Sequence, residues 1–181
     1  MRTIILALSV SMLFCFACSD NKDNEKQERA HDINALEKSA FADTVQLKVD
    51  RKILQKFIEA CKAYADDYPK DSLTPQFLFR AARHLTNSKP SEALTLYNRV
   101  YTQYNDFEDR PLCLFFQGYI YDDILNEDAK AAAIYKQFLE RFPKHDFADD
   151  AQACITFIEN PDKLEEMFQK NSEEKEDSVE M

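Results

Sequence analysis

Cysteines, histidines and paired carboxylates are the side chains of this chain that could do chemistry, and their spacing excludes most of it. Cys61, Cys113 and Cys154 fall in separate apolar or helix-start settings, with no Cys-x-x-Cys pair and no histidine at ligand spacing. They read as small buried hydrophobes rather than a disulfide framework or a metal cluster. One disulfide among them stays open in an oxidising compartment. His31, His84 and His145 fall in a polar stretch, at a helix end and in a turn, none beside an acid and a nucleophile, and are expected to face solvent. The pairs Asp66-Asp67, Asp122-Asp123 and Asp149-Asp150 invite calcium. Neighbours on a helix project about 100° apart, however, and cannot chelate one ion together. Gly118 is the single glycine, which removes the glycine-rich loops that cradle phosphates and dinucleotides. No enzyme, cofactor or metal site is expected.

What must position these residues is a near repeat. PQFLFRAA at 75–82 returns as PLCLFFQG at 111–118, a shift of 36, and EALTLYNRVYTQYN at 92–105 returns as KAAAIYKQFLERFP at 130–143, a shift of 38. Ala93 thus matches Ala131, Tyr97 matches Tyr135, Val100 matches Phe138 and Tyr104 matches Phe142. The turn inside the second copy is two residues longer. A period of this size built from two amphipathic segments predicts stacked helical hairpins, because neither segment can bury its apolar face alone. The fold class expected is all-α, an α-solenoid of antiparallel helix hairpins.

Punctuation supports the same plan. Asp50 is expected to cap a helix whose apolar stripe runs Ile53, Phe57, Cys61, Tyr64 and Tyr68 and which stops at Pro69. Thr74-Pro75 and Asp109-Arg110-Pro111 open equivalent helices, and Asn87-Ser88 and Asn126 mark hairpin turns. Asp146, with Asp149 three residues on, is expected to cap the last hairpin. Asp32 as a cap for 33–41, a connection over 44–49, and a closing helix bearing Leu164, Met167 and Phe168 complete a domain expected over 33–169.

The ends differ in composition. Arg2, an apolar run over 4–16 and Ala17-Cys18 predict an export signal over 1–17, short of the roughly 20 residues a membrane span needs. Residues 18–32 are expected to be a disordered tether and 170–181 a disordered acidic tail, since neither can bury enough apolar surface to offset ordering entropy. A net charge of −10 with no basic stripe excludes a nucleic-acid partner, whose affinity rests on Lys and Arg. FACSD at 16–20 resembles a bacterial lipobox, although Cys15 and Phe16 depart from its pattern. That resemblance implies that Cys18 is the lipidated first residue of the mature chain.

The hairpins resemble the tetratricopeptide repeat. Ala82 and Gly118 match its small position 8, Ala93 and Ala131 its small position 20, and Tyr97 and Tyr135 its position 24, while Asn105 departs where Pro143 matches the closing proline. Together with the lipobox, the chain resembles BamD-type outer-membrane lipoproteins and the small tetratricopeptide lipoproteins of Bacteroidetes. The resemblance implies a groove lined at positions 2, 5, 9 and 12 by Gln76, Phe79, Arg83 and Thr86, then Leu112, Phe115, Tyr119 and Asp122, then Asp149, Gln152 and Thr156. Phe79, Phe115 and Tyr119 would be apolar anchors and Arg83 a charge clamp, unless the three aromatics pack hairpin against hairpin. Function follows as an expectation: a lipid-anchored adaptor of the outer membrane, on its periplasmic face or, alternatively, at the cell surface, binding envelope proteins or peptides in outer-membrane protein assembly. The alternative is a periplasmic scaffold coordinating cell-wall or division machinery.

Overall fold

Residues 22–32 hold a single apolar side chain, Ala30, and nevertheless are helical. They form the first half of α1 (22–40), which corrects the expected tether over that stretch and puts Asp32 inside a helix rather than at its cap. The computed structural model describes residues 22–42 and 48–162. Outside the described residues fall Cys18 and the export signal, tether residues 18–21, most of the 44–49 connection, the closing helix at Leu164, Met167 and Phe168, and the 170–181 tail. After α1 come α2 (Arg51–Asp67), α3 (Thr74–Leu85), α4 (Pro90–Gln103), α5 (Arg110–Tyr119), a π-helical turn (Ile120–Ile124), α6 (Asp128–Arg141) and α7 (Ala148–Glu159). The class is all-α, as expected. No helix among the described residues is long and apolar enough to cross a membrane.

The chain divides into two compact units, one running through Ala81 and one from Ala82, with the boundary inside α3. In the first, Asp50 caps α2 as the spacing predicts, accepting from the Lys52 amide at 2.9 Å and the Ile53 amide at 3.1 Å. The stripe below it is sound: Phe57, Cys61 and Tyr64 are fully buried, and the Tyr64 ring meets Phe77 edge-on at 5.0 Å. What holds α1 here is mostly charge. Arg29 reaches Asp67 at 2.7 Å, Lys26 reaches Asp71 at 3.0 Å, and Arg80 donates to Asn34 at 2.8 Å and pairs with Glu37. On the apolar side Ala30, Ile33 and Ala40 are buried and Leu36 is half-buried. Composition had suggested disorder because it counts apolar residues and does not see the docking charges.

In the second unit α4 packs on α5, α5 on α6 and α6 on α7. The repeat is written into the backbone. The turn after α2 bonds Asp71 N–H to Tyr68 O and Thr74 N–H to Asp71 O. The turn after α4 bonds Phe107 to Tyr104 and Arg110 to Phe107, and the turn after α6 bonds His145 to Phe142 and Ala148 to His145. The residues ending the three helices, Tyr68, Tyr104 and Phe142, share one conformation, with φ of −126°, −123° and −133°. Because these backbone bonds fix the chain reversal, side-chain caps are not required, and three expected ones are absent. The Thr74 hydroxyl donates back to Tyr68 O at 2.6 Å, Asp109 stands at the start of α5 with no side-chain cap bond, and Phe147 rather than Asp146 precedes α7.

The two extra residues of the second hairpin also have an address. Lys89 N–H bonds Leu85 O at 2.8 Å in the first copy, and Glu127 N–H bonds Tyr121 O at 2.7 Å in the second. Between those anchor points the longer copy winds a π turn, with Leu125 N–H on Ile120 O at 3.0 Å, and exits through Asn126 at φ 52°. Asparagine is among the few side chains that tolerate that left-handed conformation.

Gly118 sets how closely α5 and α6 approach. A Cβ there would sit 2.6 Å and 2.8 Å from Cε1 and Cδ1 of Tyr135, a ring that is 1% exposed. Alanine would gain about 1 kcal/mol of helix propensity but overpack a ring with nowhere to go, at about 1–3 kcal/mol. Gly118→Ala is therefore expected to lower the urea midpoint. Combining it with Tyr135→Ala should cost less than the sum of the two single changes, a coupling that a double-mutant cycle measures.

Candidate functional site

The residues expected to line a groove do not share one fate. Phe79 is 5% exposed and Phe115 8% exposed. Phe115 touches the rings of Phe147 at 4.9 Å, Tyr135 at 5.5 Å and Phe138 at 5.7 Å. Both are core, which corrects their assignment as anchors; an aromatic on α5 this close to α6 and α7 has no face left for a partner. Gln76 and Arg83 are exposed on α3, the first in the first unit and the second in the second. Leu112 and Tyr119 are half-buried, and burial, then the charge of Asp123, raise the Tyr119 hydroxyl above its ordinary value. Thr86 is buried and donates to Ala82 O at 3.1 Å.

Gln152 is a register error. The turn bonds place Ala148 where Arg110 stands in the preceding copy, so α7 matches α5 at an offset of 38. On that offset Gln152 is equivalent to Leu114, and the counterparts of Leu112, Phe115, Tyr119 and Asp122 are Asp150, Ala153, Phe157 and Asn160. Carrying the 38-residue shift of α6 on into α7 would have found Phe157 from sequence.

Asp122, another expected groove residue, lines a concave site in the second unit. A cleft of about 410 Å³ is walled by Asp122, Asp123 and Asp128 on one side and by Cys154, Phe157, Ile158 and Pro161 on the other. The π turn brings the acids there, since it holds both Asp122 and Asp123 just before α6 opens at Asp128. The Tyr135 hydroxyl donates to Asp122 at 3.4 Å. The nearby cation is committed elsewhere: Lys130 pairs with Glu127 and lies over the Tyr121 ring at 5.2 Å. Among the described residues no Lys, Arg or His pairs with the three aspartates, and no group of His, Cys, Asp and Glu is arranged to hold a metal. Burial, then the charges of Asp123 and Asp128, push the Asp122 carboxyl above its ordinary value against the Tyr135 bond, which lowers it.

The thiols and the last histidine are now placed. Cys61 and Cys113 are buried, Cys154 is half-buried, and all three are free. Burial pushes the Cys61 thiol up to about 12, and the Cys154 thiol is also raised, so none is primed as a nucleophile. His145, expected to face solvent, is half-buried instead. Its Nδ1 accepts from the Phe147 amide at 3.2 Å and its ring stands edge-on to Phe138 at 5.5 Å. The same turn that repeats after α2 and α4 folds it inward.

The chain matches no protein-family model and no curated protein sequence. The cleft is accordingly read from its own chemistry: an apolar wall facing negative charge that pairs with no cation among the described residues.

Two outcomes are expected. Phe115→Ala should cost about 3–5 kcal/mol of stability, as truncation of a buried aromatic does, seen as a shifted chemical-denaturation curve. A groove anchor would leave that curve in place. For Asp122, a folded pKa above the unfolded one means that the native state holds the proton more tightly, so stability is highest below the ordinary carboxylate range and falls as pH rises through the folded value. Asp122→Asn should raise the melting temperature near neutral pH and leave it unchanged near the acid end, measured by thermal scans across that range.

Proposed function

We propose that this chain is a lipid-anchored adaptor of the bacterial envelope, of the tetratricopeptide type, that binds partner polypeptides and performs no catalysis. The reading is supported by the hairpin repeat with its small residues at the helix crossings, by the lipobox-like residues around Cys18, and above all by the cleft. Three aspartates held together, with no paired cation among the described residues, beside Phe157 and Ile158 are matched by a peptide carrying Lys or Arg next to an apolar side chain. Like charges so gathered work against the fold. Sites that sacrifice stability are characteristic of binding and catalysis, and the apolar wall of Phe157, Ile158 and Pro161 beside the charge favours binding. In an outer-membrane setting on the periplasmic face, such a cleft would receive basic, extended segments of proteins under assembly.

The test is a photo-crosslinking residue at position 157 in cells, followed by mapping of the linked peptides. Adducts to envelope proteins at peptides bearing Lys or Arg, reduced roughly tenfold when Asp122, Asp123 and Asp128 are all changed to Asn, are expected. Adducts unchanged by that triple substitution would remove the cleft from the function. Mass measurement of the mature N-terminus checks the anchor: an unmodified Cys18 would end the lipoprotein reading and leave the cleft untouched.

A further inference from the structure

We propose that α1 is an ionic latch, a helix that docks on α2 and α3 through charge and opens as a unit when that charge is screened, while the α2–α3 pair beneath it stays folded. The contacts are unequal in kind. Among the described residues α1 fully buries only Ala30, Ile33 and Ala40, two of them with a single methyl group to offer, and half-buries Leu36. The contacts that cross to the rest of the unit are polar and spread from end to end. Lys26 lies on Asp71, Arg29 lies on Asp67 and over the Tyr68 ring at 5.2 Å, and Asn34 and Glu37 both meet Arg80.

Beneath the latch the situation is reversed. Phe57, Cys61, Tyr64 and Phe77 are each no more than 1% exposed, and the Tyr64 ring meets Tyr68 at a tilt at 4.9 Å as well as Phe77 edge-on. The α2–α3 turn also carries its own polar clasp independent of α1, with Asp71 accepting from the Leu73 amide at 2.9 Å and from the Tyr64 hydroxyl at 3.0 Å. Ion pairs at such partly exposed positions are screened by salt, whereas aromatic packing is not. Separate salt responses of neighbouring elements are the signature of a sub-global opening rather than of unfolding.

Cys61 is the built-in reporter. It lies on α2 close enough to Glu37 and Arg80 for both to act on its thiol, and it is fully buried while the latch is shut. Cys113 of the second unit, equally buried, is the control. In the full chain, alkylation of each thiol is followed by peptide mass spectrometry between ~10 mM and ~1 M sodium chloride, which shortens the screening length from about 30 Å to about 3 Å. Cys61 is expected to label roughly tenfold faster at the high end while Cys113 does not change. Lys26→Gln combined with Glu37→Gln should give the fast Cys61 rate already at low salt, with helicity preserved apart from α1. Equal acceleration of both thiols, or a Cys61 rate indifferent to salt and to the substitutions, would overturn the proposal. Amide exchange supplies the second readout: residues 22–40 should lose protection with salt ahead of residues 51–67.

Discussion

One close approach organises the second unit: the ring of Tyr135 lying against the backbone at Gly118. It can do so only because position 118 has no side chain, and it does more than fill space, since its hydroxyl runs on to Asp122 in the π turn that follows α5. The preceding copy repeats the arrangement with gentler chemistry. Tyr97 stands where Tyr135 does, Ala82 where Gly118 does, and the Tyr97 hydroxyl comes to 3.5 Å of Thr86, the counterpart of Asp122. A tyrosine of the second helix thus reaches across a small residue of the first to a polar group near its end, in both hairpins. The crossing fixes the spacing of the pair, and the hydroxyl fixes the rotation of one helix about the other.

Seen this way, Asp122 is a structural partner replaced by a charge. A threonine hydroxyl satisfies Tyr97 and stays buried; the aspartate in the next copy satisfies Tyr135 and also carries a carboxylate into the company of Asp123 and Asp128. The π turn that gathers them comes from the two residues by which the second hairpin exceeds the first. Insertion, wider turn and acidic cleft are one event in the chain, and π turns of this kind are frequent where function is added to a helix.

Much of this could be read from the letters. The matched tyrosines, the small residues, the aromatic ends at Tyr68, Tyr104 and Phe142 and the place of the longer turn all follow from aligning the chain with itself. Three things did not follow. The helical state of residues 22–32 depends on Asp67, Asp71 and Arg80, distant in sequence, and local composition argues the other way. The turns before α3, α5 and α7 are closed by backbone bonds that leave no trace in side-chain type, so Thr74, Asp109 and Asp146 looked like caps. And an aromatic at a groove position reads the same whether it faces a partner or a neighbouring helix. Phe115 is decided only by the arrival of Phe147 from the next turn.

The ion pairs that seat α1 have a mechanical meaning as well. A helix rises about 1.5 Å per residue, so residues 22–40 form a strut of about 28 Å lying along the first unit. A pull applied at its leading end would load Lys26 and Arg29 first and Glu37 last, peeling the contacts one after another instead of straining them together. Such a seam yields to small sustained tension at the N-terminal side while resisting the same force applied along the helix axis.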